Sequence, residues 1–358
     1  MTDIRQCGAN PNFWWPVAHQ RTFRPNELNP ARLGPVEVIV LRDSNGHIRV
    51  YEDACPHKRV RLSVFGKKSG DSIACGYHGW RFASDTGTAT LPCMRPSDTG
   101  TATLPCMRPN AQAVMEPRSL CLREFPVRQY GGWIWAFLGD ASLADATPLP
   151  SVPPAESADY HAVPMQGLVR CHYSIMTENA TDLFHAALHQ TMQPWANPEL
   201  LSIKNNDEEV QAVYEVDTPR LLAALISSKG RHTITVTYRY PYFHLTSDDG
   251  AFYLFVVYVP QTLQTTWVHS TFYFRHVWNM PWILRTLDPF LNHGTFRVVF
   301  EQDMDAVEEE QRAYNLYERD LSRETNPVTH AVRRVIARQT VGQLSVPPCT
   351  EFVPRTII

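Results

Sequence analysis

Two short loops carry the first chemistry in this sequence: Cys55-Pro56-His57 and, seventeen residues on, Cys75-Gly76-Tyr77-His78. Two thiolates and two imidazoles suit either zinc or an iron–sulfur cluster, so the ligand types alone leave the choice open. A zinc finger usually groups its ligands as a cysteine pair and a histidine pair, whereas here each loop supplies one of each. A [2Fe–2S] cluster with both cysteines on one iron and both histidines on the other needs that arrangement. Histidine ligation raises the potential above that of an all-cysteine ferredoxin. Such a cluster accepts electrons from a reductase and hands them to a more oxidising site.

A second constellation lies downstream in Glu178-Asn179-Ala180-Thr181-Asp182-Leu183-Phe184-His185-Ala186-Ala187-Leu188-His189. If the segment is one α-helix, Asp182, His185 and His189 share a face. Two imidazoles four residues apart can grip one metal ion, and an acid one turn earlier can brace a ligand's ring nitrogen. A third ligand is sought in Phe300-Glu301-Gln302-Asp303-Met304, where an acid among apolar positions is costly unless paired or metal-bound. Asp303 is the favoured carboxylate, with Glu301 and Asp305 close by as alternatives. Two histidines and one carboxylate form the facial triad of non-haem Fe(II) oxygenases, with positions left open for dioxygen and substrate.

The elements that must position these groups fall into two parts. Residues 35–53 alternate in strand fashion around Ser44-Asn45-Gly46, a hairpin signal, and further strand-like runs follow near 73–74, 80–82 and 132–137. Residues 1–145 therefore read as a small antiparallel β domain. A proline-rich stretch at 147–157 looks like a linker. Residues 146–358 mix long aromatic strands (ITVTYRYPYFHL, AFYLFVVYV and TTWVHSTFYFRHVW) with helices expected at 174–190 and 281–320. Strands and helices in that order fit an α+β domain built on one antiparallel sheet. Residues 84–96 recur identically at 97–109, an exact tandem copy that reads as loop and receives no chemical role.

Composition narrows the class. The 358 residues carry a net charge of −3 with interspersed signs and 44% hydrophobic content, which fits a soluble globular protein and offers nucleic acid no basic stripe. The longest apolar run, Ala251 to Pro260, falls short of the ~20 residues of a membrane helix. The N-terminus has no signal-peptide pattern, so a cytoplasmic location is expected. Eight cysteines in a chain of this length suggest free thiols and metal ligands, with Cys93 and Cys106 ordinary thiols.

The CPH and CGYHGW loops resemble the Rieske family, and Tyr77-His78-Gly79-Trp80 is similar to its ring-hydroxylating oxygenases and soluble ferredoxins. Respiratory Rieske proteins carry an extra cysteine in each loop. Val60 and Tyr77 stand there, so that disulfide cannot form. The family's catalytic pattern, Asn–x2–Asp–x2–His–x3 or x4–His with a distant Asp, is met by Asn179, Asp182, His185, His189 and Asp303. The resemblance spans roughly residues 13–325 and leans toward the branch of pheophorbide a oxygenase and other homotrimeric monooxygenases. The C-terminal transmembrane extension and extra cysteine motif of the plastid enzymes are missing, which weakens transfer of a tetrapyrrole substrate.

The resemblance implies a Rieske β domain followed by a helix-grip-like α+β catalytic domain, holding a [2Fe–2S] cluster and Fe(II). It implies electrons from an NAD(P)H-dependent reductase, directly or through a ferredoxin, and O2 with a small apolar substrate at the iron. It further implies a homotrimer in which Asp182 bridges a cluster histidine of one subunit and a catalytic histidine of the next; Asn179 would cap or hydrogen-bond near the iron. Mono-oxygenation is preferred over dihydroxylation, demethylation or desaturation. Phe184, Leu188, Phe252, Leu254 and Phe272 are candidates for the pocket, while His172, His244, His269 and His276 read as ordinary histidines. Two rival readings are an electron carrier without catalytic iron and a zinc-stabilised binding module.

Overall fold

The computed structural model describes residues 3–90, 121–189, 195–218, 230–275 and 296–340. The expected early hairpin is present as β3 (Val36–Arg42) and β4 (Ile48–Glu52). Asp43 builds its turn by accepting the backbone N–H groups of Asn45 at 2.9 Å and His47 at 2.8 Å, and Gly46 takes φ +87°, which glycine reaches without strain. These strands join β2 (Asn29–Leu33) and β9 (Glu124–Phe125) in the order β2-β3-β4-β9. A second sheet runs β5 (Gly66–Ser69), β6 (Ser72–Cys75), β7 (Arg81–Ala83), β8 (Ala89–Thr90), after the single turn α1 (Leu62–Phe65). A third places β11 (Trp133–Phe137) between β1 (Trp14–His19) and β10 (Val127–Tyr130). Ile39, Leu41, Tyr51, Leu62, Ile73 and Phe82 form a core that also encloses Cys55 and Cys75. The tandem copy lies largely outside the described residues.

The second unit is an α+β arrangement around one antiparallel sheet. Its strands are β12 (Tyr160–Val169), β13 (Ala196–Asn205), β14 (Glu209–Asp217), β15 (Arg231–Arg239), β16 (Tyr242–Ser247), β17 (Phe252–Thr262) and β18 (Thr265–Arg275). The spatial order is β12-β18-β17-β16-β15-β14-β13. Period-two burial explains the inner face: Val210, Ala212, Tyr214 and Val216 on β14, and Ile234, Val236 and Tyr238 on β15, all point into one core. The run read as a single strand from 234 to 245 divides at Tyr240-Pro241 into β15 and β16, since proline has no N–H for the ladder.

Helix α2 (Tyr173–Thr181) packs against that face together with α3 (Phe296–Tyr317) and α4 (Pro327–Thr340). His172 caps α2, its Nδ1 accepting from the Ser174 N–H at 3.2 Å. The helix expected over 174–190 ends early: Asp182 leaves the helical region at φ −98° and ψ 92°, and a 3-10 stretch follows at Leu183–Leu188. On α3, Phe300, Asp303, Val307 and Gln311 recur at three- and four-residue spacing along the inward stripe. The part of the expected second helix before 296 lies outside the described residues.

The chain divides into Val17–Asp145 and a unit joining Met1–Pro16 to Ala146–Ile358. The N-terminal sixteen residues thus go with the second unit rather than the first, anchored by Ile4 in its core, by Asn10 on Tyr240 and by Arg5. Its side chain is 2% exposed and reaches Glu178 of α2 at 3.3 Å and Glu310 of α3 at 2.7 Å. Arg333 of α4 meets the same Glu178 at 2.7 Å. One buried carboxylate therefore ties the N-terminus to two helices.

Candidate metal centres

The two cysteine–histidine loops share one backbone frame. In the first, the Cys55 N–H donates to the Val60 carbonyl at 2.9 Å and the Arg59 N–H to the Cys55 carbonyl at 2.7 Å. In the second, the Cys75 N–H donates to the Trp80 carbonyl at 2.7 Å and the Gly79 N–H to the Cys75 carbonyl at 2.9 Å. The fifth residue of each loop is left-handed, Arg59 at φ 58° and Gly79 at φ 73°. Asp53 fastens the first loop by accepting from the Ser63 N–H at 2.8 Å. Gly76 lets the second loop approach closely, because a Cβ there would sit 2.6 Å from the Phe65 carbonyl oxygen.

This frame brings all four predicted ligands together. Cys55 and Cys75 are buried and lie beside each other; burial pushes the Cys55 thiol up, and the Cys75 thiol adds to it. The His57 and His78 rings meet edge to face with centroids 4.6 Å apart. Burial, aided by His78, holds the His57 imidazole below its ordinary value, and its Nδ1 is buried with no hydrogen-bond partner among the described residues. Two adjoining buried thiols and an orphaned ring nitrogen are costly as bare polar groups and are satisfied by metal ligation. The donor set fits a [2Fe–2S] group.

The second centre is assembled from the end of α2, the 3-10 stretch and α3. His185 Nε2 and His189 Nε2 stand 3.4 Å and 3.5 Å from the same Asp303 Oδ1. Ligand atoms of the three residues all lie within 4.8 Å of one another, and His189 and Asp303 are largely buried. Asp305 and Glu301 are exposed, and Glu301 is engaged by Arg297 at 2.7 Å. Burial pushes the Asp303 carboxyl up, opposed by His185, His189 and Asn179. Asn179 Nδ2 donates to Asp303 Oδ1 at 3.4 Å, so it touches the carboxylate directly.

The convergence of the histidines differs from the helical face expected of them. His185 lies within a 3-10 stretch and His189 closes it, and the brace on His185 Nδ1 is the backbone carbonyl of Asp182 rather than its carboxylate. That carboxylate accepts from the Phe184 N–H at 2.9 Å and caps the stretch. A residue missed in the sequence is Gln302, whose Oε1 lies 3.0 Å from His189 Nδ1 and fixes which nitrogen faces Asp303. Its only signal was adjacency to Asp303.

A cavity of about 110 Å³ opens at this triad. Its floor is the sheet and its cover is Met176, Asn179 and Ala180 of α2 with Val299 and Phe300 of α3. Of the expected pocket residues, Phe252, Leu254 and Phe272 line it, whereas Phe184 and Leu188 are not in its lining and are 46% and 36% exposed. Gly167 makes room for the cover: a Cβ there would meet the Phe300 ring at 2.7 Å. His172 is held by Ser174 and the Cys7 carbonyl, and His244 by Tyr253. His269 is buried in β18, and His276 lies outside the described residues.

Comparison with known proteins agrees with both halves. Residues 13–114 match the Rieske [2Fe-2S] domain, and residues 169–340 match the vanillate O-demethylase oxygenase C-terminal domain. The chain belongs to the Rieske-type oxygenases, oxidoreductases whose cofactors are a [2Fe–2S] cluster and a mononuclear Fe(II). It is 28% identical over 345 residues to the 4beta-methylsterol monooxygenase of Methylococcus capsulatus, covering 93% of this chain and 89% of that protein. A vanillate O-demethylase oxygenase subunit of a Pseudomonas species is 30% identical over 41% of this chain and 39% of its own length. The fold superposes on dicamba monooxygenase bound to dicamba with a TM-score of 0.72 at 18% identity, over 93% of this chain and 98% of that one. Among the described residues no helix is long and apolar enough to cross a membrane.

Proposed function

We propose that this chain is the terminal oxygenase component of a Rieske system that mono-oxygenates a largely apolar small molecule. The observation that carries the reading is the placement of His185, His189 and Asp303 at a cavity whose other lining is almost entirely apolar. Cys55, His57, Cys75 and His78 would hold the cluster, and His185, His189 and Asp303 the Fe(II). When bound, the two groups supply single electrons and a site for activating O2 beside the substrate. The chain's residues do the positioning. Gln302 and the Asp182 carbonyl orient the two imidazoles, Asn179 holds the carboxylate, and the apolar walls exclude water. The names of the sterol monooxygenase and the vanillate demethylase support a carbon-centred oxygenation of a hydrocarbon-rich molecule.

Electrons would come from an NAD(P)H-dependent reductase, directly or through a ferredoxin, in the cytoplasm. The working assembly is read as a homotrimer in which Asp182 links the cluster of one subunit to the iron site of the next. Asparagine caps a helical turn as well as aspartate does, so Asp182→Asn is expected to fold and load both metal groups yet lose turnover. Normal product formation by that variant would refute the bridge. The reading as a whole is tested by iron and labile sulfide analysis, with three irons to two sulfides expected, and by mass spectrometry of products formed with O2 and a surrogate reductase. Two irons to two sulfides would reduce the protein to an electron carrier.

A further inference from the structure

The floor of the cavity is hydrocarbon except for one step. Met165, Phe243, Leu245, Leu254, Val256 and Phe272 lie in paired rows across β12, β18, β17 and β16, while Tyr258 and Ser270 break the pattern. Ser270 pairs with Val256, and Tyr258 with Val268, so the two hydroxyl residues are diagonal neighbours on one face of adjacent strands. Diagonal neighbours are separated by a gap that a long aromatic side chain can reach across.

Their hydrogen bonding is incomplete. Ser270 donates its proton to the Met165 carbonyl at 3.2 Å, which leaves its oxygen lone pairs to accept. Tyr258 is 4% exposed, and its hydroxyl has no hydrogen-bond partner among the described residues. Tyr258 and Ser270 line the same cavity as His185, His189 and Asp303. In an apolar cavity the Tyr258 hydroxyl is a donor available to an incoming group, which a phenylalanine filling the same space would lack. Apart from His185, His189 and Asp303, the lining carries, among the described residues, no charged residue that could take up a carboxylate or an ammonium group.

We propose that Tyr258 and Ser270 form a recognition step for a neutral oxygen function, with Tyr258 donating to it and Ser270 accepting where it is a hydroxyl. The substrate is then an alcohol or ketone on a hydrocarbon framework, rather than an acid or a plain hydrocarbon. This deepens the oxygenase reading above and rests on it for the role of the cavity.

The test is binding, measured by equilibrium dialysis of the anaerobic holoprotein with benzyl alcohol, toluene and benzoate, three probes that share one ring. Tyr258→Phe is expected to weaken benzyl alcohol roughly three- to tenfold while leaving toluene unchanged or tighter. Unchanged toluene binding also shows that the variant has folded with its cavity intact. Ser270→Ala is expected to weaken benzyl alcohol by a smaller factor. Equal changes for both probes, or a selective loss of benzoate, would overturn the assignment. Iron and sulfide contents on the same samples separate this outcome from failure of the oxygenase reading, because a missing third iron refutes the latter whatever the dialysis shows.

Discussion

At the scale of single residues, the two metal centres differ in how plainly they were written. Cysteine and histidine in mixed pairs are rare enough that Cys55, His57, Cys75 and His78 could be picked out by spacing alone. Asp303 could be chosen over Asp305 only by its expected place on an inward helical stripe. Gln302 was illegible, since an amide beside an acid has no spacing signature and its role depends on the ring it meets. Replacing it tests that role: Gln302→Leu frees His189 to rotate and should lower ferrous affinity or turnover by about 10- to 100-fold, with the cluster's visible spectrum unchanged. Asp303→Asn is expected to take the iron count from three to two per two sulfides. Retention of the third iron would move the ligand role elsewhere.

At the scale of elements, local signals located the hairpin at 36–52 and the strands of the large sheet, because period-two burial and turn chemistry act over a few residues. They failed where tertiary contacts decide. The chain from Asp182 to Leu188 has helix-forming residues, yet it runs as a 3-10 stretch that swings two imidazoles toward one carboxylate. The cap of α2 gives a pH prediction. Burial holds His172 down to about 4, so it stays neutral in the native state. Below its ordinary value of about 6.5 the unfolded chain takes a proton that the folded chain refuses, so stability falls as pH drops from 6.5 toward 4. At pH 5 the loss is about 2 kcal/mol. Urea unfolding at pH 7 and pH 5 checks this, and His172→Asn, which can still cap, should flatten the difference. A second element-level prediction concerns β12 against α3. Gly167→Ala drives a methyl into the Phe300 ring and is expected to cost about 1–3 kcal/mol, measured by thermal unfolding, with Phe300→Leu restoring much of the loss.

At the scale of the molecule, the order of a β unit followed by an α+β unit was legible, since strand-rich and helix-containing stretches follow one another along the chain. The allegiance of the N-terminal residues was not, because it rests on contacts between positions far apart in the chain, such as Arg5 with Glu178 and the Cys7 carbonyl with His172. Arg5→Met leaves Glu178 with only Arg333 in a buried setting and is expected to cost about 3–5 kcal/mol, read as a lowered urea midpoint of the second unit. A variant no less stable than the parent would show that the network is ornamental. The Gly167–Phe300 contact has a consequence for descent as well as stability. The seat of the Phe300 ring, which lines the cavity, is set jointly by two positions, 167 and 300, that lie far apart in the chain and in different elements. Enlarging either side chain alone meets resistance, and shrinking Phe300 alone opens a void. Neighbouring substrate ranges are therefore reached by paired substitutions, so these positions should change together among relatives rather than one at a time.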